Sequence, residues 1–152
     1  MNQVPGMIAQ TIQLALAPVF VLVAIGNIIN TLSSRLGRVV DRSRTLQKLH
    51  GETQGPEHDA VVREIRIIDK RIHLISRSLL LLVLAGLCIG STVVLLFVEE
   101  FVGVNVQAVA AGTFILAIGF LMNALVLFLR ETRHATDALR IPSELLELDR
   151  KL

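Results

Sequence analysis

The chain has 152 residues, 53% of them hydrophobic and only 18% charged, with a formal net charge of +2. A soluble domain of this size carries roughly 25% charge over a single core, and the mean hydropathy here is +0.64. That balance excludes an ordinary soluble fold, and the slight basic excess gives no ground for nucleic-acid binding.

The charges are absent from three long runs, residues 3–34, 78–98 and 101–129. A helix crosses the hydrocarbon with about 20 apolar residues at 1.5 Å each, so each run predicts a transmembrane helix. The fold expected is an all-α membrane protein of three spans, with a long cytoplasmic antiparallel helical hairpin between the first and second. Residues 1–34 form an external N-terminus and the first span. Residues 35–77 form the hairpin, 78–98 the second span, 99–105 an external turn, 106–129 the third span and 130–152 a cytoplasmic tail. The first span lacks the basic n-region and small-residue cleavage site of a secretory signal, so it is expected to persist in the mature protein.

Orientation follows from the basic residues. Ten Lys or Arg lie within 35–77 and the other five follow Leu129. The positive-inside rule then assigns both segments to the cytoplasm and the N-terminus to the outside.

Within the first span the polar residues are not scattered. Gln10, Ala17, Ala24 and Thr31 repeat every seven residues, and Gln13, Phe20, Asn27 and Ser34 repeat three positions further on. Together they make one seam through the membrane, polar or small throughout except for Phe20. The same register continues through Arg38, Asp41, Thr45 and Lys48. Polar side chains are costly against lipid, so the seam should face protein or water. Two readings fit it. In one, amide and small residues simply allow helices to approach and hydrogen-bond. In the other, copies of the helix surround an axis and line a conduction path, with Phe20 as a dewetting constriction and Arg38 and Asp41 in a cytoplasmic vestibule. Three spans cannot enclose a pore alone, so this reading requires a symmetric homo-oligomer. Pro18 removes a backbone donor beside Phe20 and is expected to bend the helix.

The segment 35–77 carries two apolar stripes. Leu32, Leu36, Val39, Leu46 and Leu49 follow helical spacing, the turn chemistry of residues 51–56 intervenes, and Val61, Ile65, Ile68, Ile72, Ile75 and Leu79 repeat at four and three. Matched stripes joined by a short turn predict an antiparallel pair. Charges on the other faces, among them Arg42, Arg63, Glu64, Asp69 and Lys70, read as solvated. Arg35, Arg38, Arg42 and Arg77 lie close enough to the bilayer to attract anionic headgroups.

The second and third spans carry a GxxxG at Gly86 and Gly90, and a face shared by Ala108, Gly112, Gly119 and Asn123; both read as close-packing surfaces. Cys88, the only cysteine, has no intrachain disulfide partner. Glu99 and Glu100 are expected in the external turn, where in a ring they would concentrate cations at the mouth.

No span contains Asp, Glu, Lys, Arg or His, so the usual proton relay or ion-coupled transport site is missing. The four histidines, His50, His58, His73 and His134, fall in solvated segments. No metal-ligand cluster, phosphate-binding glycine motif or nucleophile–base pair is present, so neither an enzyme nor a cofactor is expected.

The run from Ile12 through Ala-Pro-Val-Phe to Phe20, then Arg35-Leu-Gly-Arg38 and Asp41-Arg-Ser-Arg44, resembles the prokaryotic membrane family catalogued as domain of unknown function 2721. The likeness covers about residues 8–133. It implies a bacterial inner-membrane protein of three spans and places recurring residues at Gln13, Pro18, Phe20, Arg35, Arg38, Asp41 and Arg42, partly on the seam. It implies no activity. The expectation that emerges is a homo-oligomeric bacterial inner-membrane protein, with the lipid bilayer and inorganic cations as partners and the first helices lining a cation-leaning path. The alternatives are a non-conducting scaffold or accessory subunit whose hairpin binds a partner, and a protein that holds lipid or a small molecule in clefts between subunits.

Overall fold

The computed structural model describes residues 4–137, with side chains described for 9–133. Those residues form three helices and no strand: α1 (Val4–Glu52), α2 (Pro56–Val102) and α3 (Gln107–Asp137). All three are long and apolar enough to cross a membrane, the composition of a multi-pass membrane protein.

α1 and α2 each run until the backbone is stopped chemically. α1 continues 49 residues through Pro18, whose missing N–H leaves the Leu14 carbonyl without its usual partner. It ends where Thr53 turns back on Leu49, donating its N–H at 3.0 Å and its hydroxyl at 2.8 Å to the same carbonyl. Gly55 follows with φ 66, a left-handed conformation that suits glycine. α2 opens with Pro56 in its first turn, and Glu57 and Asp59 complement the positive end of the helix dipole. It ends at Gly103, where φ 72 closes the helix and the Gly103 N–H bonds to the Glu99 carbonyl at 3.0 Å.

That ending moves Glu99 and Glu100 from the turn onto the last helical turn of α2. Two acids do not break a helix; the left-handed glycine does. The connection between α2 and α3 is therefore residues 103–106, shorter than the 99–105 expected from charge. α3 likewise continues past Leu129 to Asp137, because nothing in 130–137 opposes a helix.

Packing obeys a seven-residue period in all three helices. The covered positions of α1 are Thr11, Pro18, Ile25, Leu32, Val39 and Leu46. Those of α2 are Val61, Ile68, Ile75, Leu82 and Ile89, with a second set at Ser78, Ala85 and Thr92. α3 presents Ala110, Ala117, Ala124 and Glu131. A strict heptad keeps one seam facing the neighbour only if the helices wind left-handed around each other. α2 lies between α1 and α3 and carries nearly all of the packing.

The two sides of α2 differ in kind. Its register against α1 is set by Arg42 pairing with Glu64 and His50 meeting His58, which brings the branched residues Leu32 and Ile75, Val39 and Ile68, and Leu46 and Val61 level with one another. Its register against α3 is set by the Thr92–Thr113 hydroxyl bond and by Arg71 on Glu131. Here small residues meet small ones, Ser78, Ala85 and Thr92 against Ala110, Ala117 and Ala124. Small side chains let two backbones approach closely, which supplies dispersion contacts where lipid leaves no hydrophobic drive.

Candidate functional site

The polar seam of α1 lies on the flank that the described residues leave uncovered. Gln10, Gln13, Ala17, Phe20, Ala24, Asn27, Thr31 and Ser34 are all exposed, as are Arg38 and Asp41 below them. Phe20 is 68% exposed. The heptad explains the placement: these positions flank the buried Pro18, Ile25 and Leu32 by one residue before and two after. Only part of the polarity is satisfied locally. Thr31 donates its hydroxyl to the Asn27 carbonyl and Ser34 to the Asn30 carbonyl, each at 3.0 Å. For the side-chain amides of Gln10, Gln13 and Asn27 there is no corresponding bond within the described residues. The uncovered flank therefore presents amides across the membrane, a cost that protein or water must relieve.

The third helix has an uncovered face too. Ala108, Gly112, Gly119 and Asn123, expected to pack, are exposed; α3 buries Ala110, Ala117 and Ala124 instead. Of the GxxxG pair, Gly86 is in contact range of α1, with Leu22 Cδ1 at 3.6 Å from where a Cβ would stand, whereas Gly90 has open space.

At the charged end of the spans the three helices are tied by one carboxylate. Glu131 on α3 has no solvent exposure. Its Oε2 accepts from Arg35 Nη1 on α1 at 3.1 Å, and its Oε1 from Arg71 Nε and Nη2 on α2 at 3.2 and 3.0 Å. Arg35 Nη1 also donates to Thr132 Oγ1 at 3.2 Å, and the Arg35 guanidinium lies 5.2 Å above the Phe128 ring. Both arginine side chains keep 26% of their surface exposed. A fully covered carboxylate is tolerable only because two charge-assisted partners complete its shell. The cluster carries one net positive charge.

The sequence reading passed over Glu131 because it stands two residues beyond the third uncharged run, among the mixed charges of the tail. One signal could have found it: 110, 117, 124 and 131 continue a single heptad position, which reads Ala, Ala, Ala, Glu.

Four further arrangements stand apart from this cluster. Near the opposite end of the spans, Thr11 donates to Glu100 Oε2 at 3.0 Å, so this acid anchors α1 to α2. An open cleft of about 270 Å³ lies between α1 and α3 around Ala17, Pro18, Thr92, Gln107 and Phe114; seam residue Ala17 forms part of its wall. At the far tip, His50 and the half-buried His58 bring their rings to 4.5 Å, with His58 Nδ1 covered and unbonded. Read singly, those histidines looked solvated; they meet because they stand on either side of the same turn. Nearer the spans on the same pair of helices, Arg42 grips Glu64 with Nε and Nη2 at 2.8 and 2.9 Å. The hydrogen bond, and then the carboxylate's charge, raise the Arg42 pKa above its ordinary value. No group of three or more metal-ligating side chains occurs among the described residues.

Comparison with known proteins gives a family and little else. The model of the family described as protein of unknown function (DUF2721) matches residues 15–141, a span holding most of the seam, both arms of the α1–α2 pair and all three residues of the ionic cluster. No curated protein and no solved structure matches. The chain belongs to the DUF2721 family.

Proposed function

We propose that this DUF2721 protein is a homo-oligomeric channel of the bacterial inner membrane, in which copies of α1 turn the polar seam toward a shared axis. The observation that carries this reading is the exposure of all eight seam residues, Gln10 to Ser34, on a helix whose other flank is buried every seventh residue. A monomer in lipid would hold the three seam amides, Gln10, Gln13 and Asn27, against hydrocarbon, besides the exposed Asn30 and Asn123 off the seam. A ring of copies removes that cost, and a water-filled axis hydrates them.

In this arrangement the N-terminus is outside, and the charged ends of α1 and α2 form a hairpin in the cytoplasm with the C-terminal tail beside it. Phe20 is the only bulky apolar group on the seam and narrows the path. Arg38 and Asp41 stand in the vestibule below. Glu99 and Glu100, at the outer end of α2, favour cations at the mouth, although Glu100 is also held by Thr11.

The runner-up keeps the assembly and drops conduction, leaving a scaffold or accessory subunit whose hairpin docks a partner. Thr31 and Ser34 favour it, because their hydroxyls are bound to their own helix and need no water.

Subunit number and flux separate the two. Native mass spectrometry in mild detergent should find a ring of more than two copies. A monomer or dimer would sink the channel, since two subunits cannot surround an axis with α1. In liposomes, Phe20→Ala should raise cation flux several-fold over the parent protein. A higher oligomer that carries no current in either form, under varied voltage, calcium and pH, would establish the scaffold.

A further inference from the structure

We propose that the Arg35–Arg71–Glu131 cluster is a recognition site for a phosphate group at the inner membrane surface, taken from the headgroup of an anionic phospholipid. The proposal rests on the membrane reading above and is independent of conduction.

Three observations carry it. The first is an imbalance: two guanidiniums share one carboxylate, leaving a net positive charge between three helices. The second is unused bonding capacity. Each guanidinium has five N–H donors in a planar fork. Arg35 uses its two Nη1 hydrogens, on Glu131 and Thr132, while Arg71 uses Nε–H and one hydrogen of Nη2. Three N–H groups on each arginine are left without a partner among the described residues. Both side chains remain partly exposed, at 26%, so an incoming anion has access.

The third observation is depth. Arg35 directly follows the uncharged run of α1, and Glu131 stands two residues past that of α3. The cluster thus sits where hydrocarbon gives way to headgroups, the level of lipid phosphates. Arg130, exposed and next to Glu131 in the chain, adds to the local field, and the exposed Arg77 stands about 9 Å along α2 from Arg71 at 1.5 Å per residue.

Glu131 holds the forks in place and also competes with the ligand for them. The cluster is therefore primed but partly occupied, and this gives the proposal a test with opposite signs. Arg–phosphate pairing is frequently bidentate, and the cluster's net positive charge favours an anionic headgroup over a zwitterionic one, whose ammonium offsets its phosphate.

The purified full-length protein is titrated with phosphatidylglycerol, with phosphatidylcholine and with inorganic phosphate. Bound lipid is counted by native mass spectrometry and thermal unfolding is followed in parallel. Phosphatidylglycerol should be retained roughly tenfold more tightly than phosphatidylcholine, and millimolar inorganic phosphate alone should produce no comparable shift. Arg71→Gln should remove that preference. Both this change and Glu131→Gln loosen the tie between the helices, so retention is compared below each variant's unfolding midpoint; there Glu131→Gln, which frees the forks without removing a cation, should strengthen phosphatidylglycerol retention several-fold. Arg63→Gln, on the exposed arm about 12 Å below Arg71 at 1.5 Å per residue, controls for net charge and should bind as the parent does. Equal retention of the two lipids overturns the proposal, as does weaker retention by Glu131→Gln. Losses with Arg63→Gln that match those with Arg71→Gln would reduce the effect to general basicity. A full response to inorganic phosphate alone would overturn the lipid as the source.

Discussion

The two flanks of α1 are made from the same helix at the same depth, yet they solve different problems. On the covered flank every seventh residue is buried, and below Pro18 each of these is a branched aliphatic: Ile25, Leu32, Val39, Leu46. On the open flank, one residue earlier and two later in the same heptads, stand Ala17, Ala24, Thr31, Phe20, Asn27 and Ser34, all exposed. The first flank closes the subunit by shape. The second is small and polar apart from Phe20 and is left uncovered by the described residues. The difference teaches that a helix bundle can close one flank of a helix by shape and still leave polar groups on the other.

The comparison can be broken first on the covered side. Leu46→Ala removes a fully covered side chain from the seam between α1 and α2, beyond the apolar spans, where water is the competing environment. A loss of about 2–5 kcal/mol is expected, seen as a lower unfolding midpoint with subunit number retained in the surviving fold. A neutral result would mean that the heptad seam is not what holds the two helices together.

On the open side the expected outcome is reversed. Asn27→Leu leaves the packing within the subunit alone, so the helical content and fold should persist. Each interhelical hydrogen bond lost in a membrane is worth about 0.6–2 kcal/mol, and a ring repeats that loss in every copy. The variant should therefore shift the oligomer toward smaller species on native gels, and an unchanged subunit distribution would argue that Asn27 meets lipid or water only.

The smallest effect sharpens the contrast between buried and exposed polarity. Arg42→Ala breaks a bidentate pair with Glu64, but both side chains are about half exposed, at 52% and 41%. Such pairs contribute roughly 0–1 kcal/mol. Stability should change by less than that and the change should shrink in high salt; a loss comparable to Leu46→Ala would show a structural role that exposure does not suggest.

Much of this architecture was legible in sequence because membrane crossing is a one-dimensional signal. Uncharged runs of sufficient length mark the spans whatever the helices do next, and the spacing of Leu32, Val39, Leu46, Val61, Ile68 and Ile75 marks which side is covered. The seam from Gln10 to Ser34 was legible as a polar stripe, but periodicity carries no information on which neighbour, if any, a stripe meets. Charge marks where the second uncharged run ends but not where α2 ends, which backbone conformation at Gly103 decides.

The ionic cluster was the hardest to read. Its three members lie 36 and 60 residues apart, at positions 35, 71 and 131, and each looks like an ordinary flanking charge. Only the antiparallel register of three helices brings them to one level. The meeting of His50 with His58 depends on that same register around a single turn. Long-range pairings of this kind are fixed by topology, and local pattern reaches them only when a heptad is followed past the end of its apolar stretch.

The central claim is that the open flank of α1 faces other copies of itself around an axis. The most direct measurement is cysteine cross-linking in a Cys88→Ser background, with single cysteines at Ala17, Ala24 and Thr31 on the seam and at Ile12 and Val19 on the opposite exposed flank. The account predicts covalent dimers from the seam positions, recurring every seven residues, and none from Ile12 or Val19. Cross-linking at Ile12 and Val19 with none at the seam would contradict it.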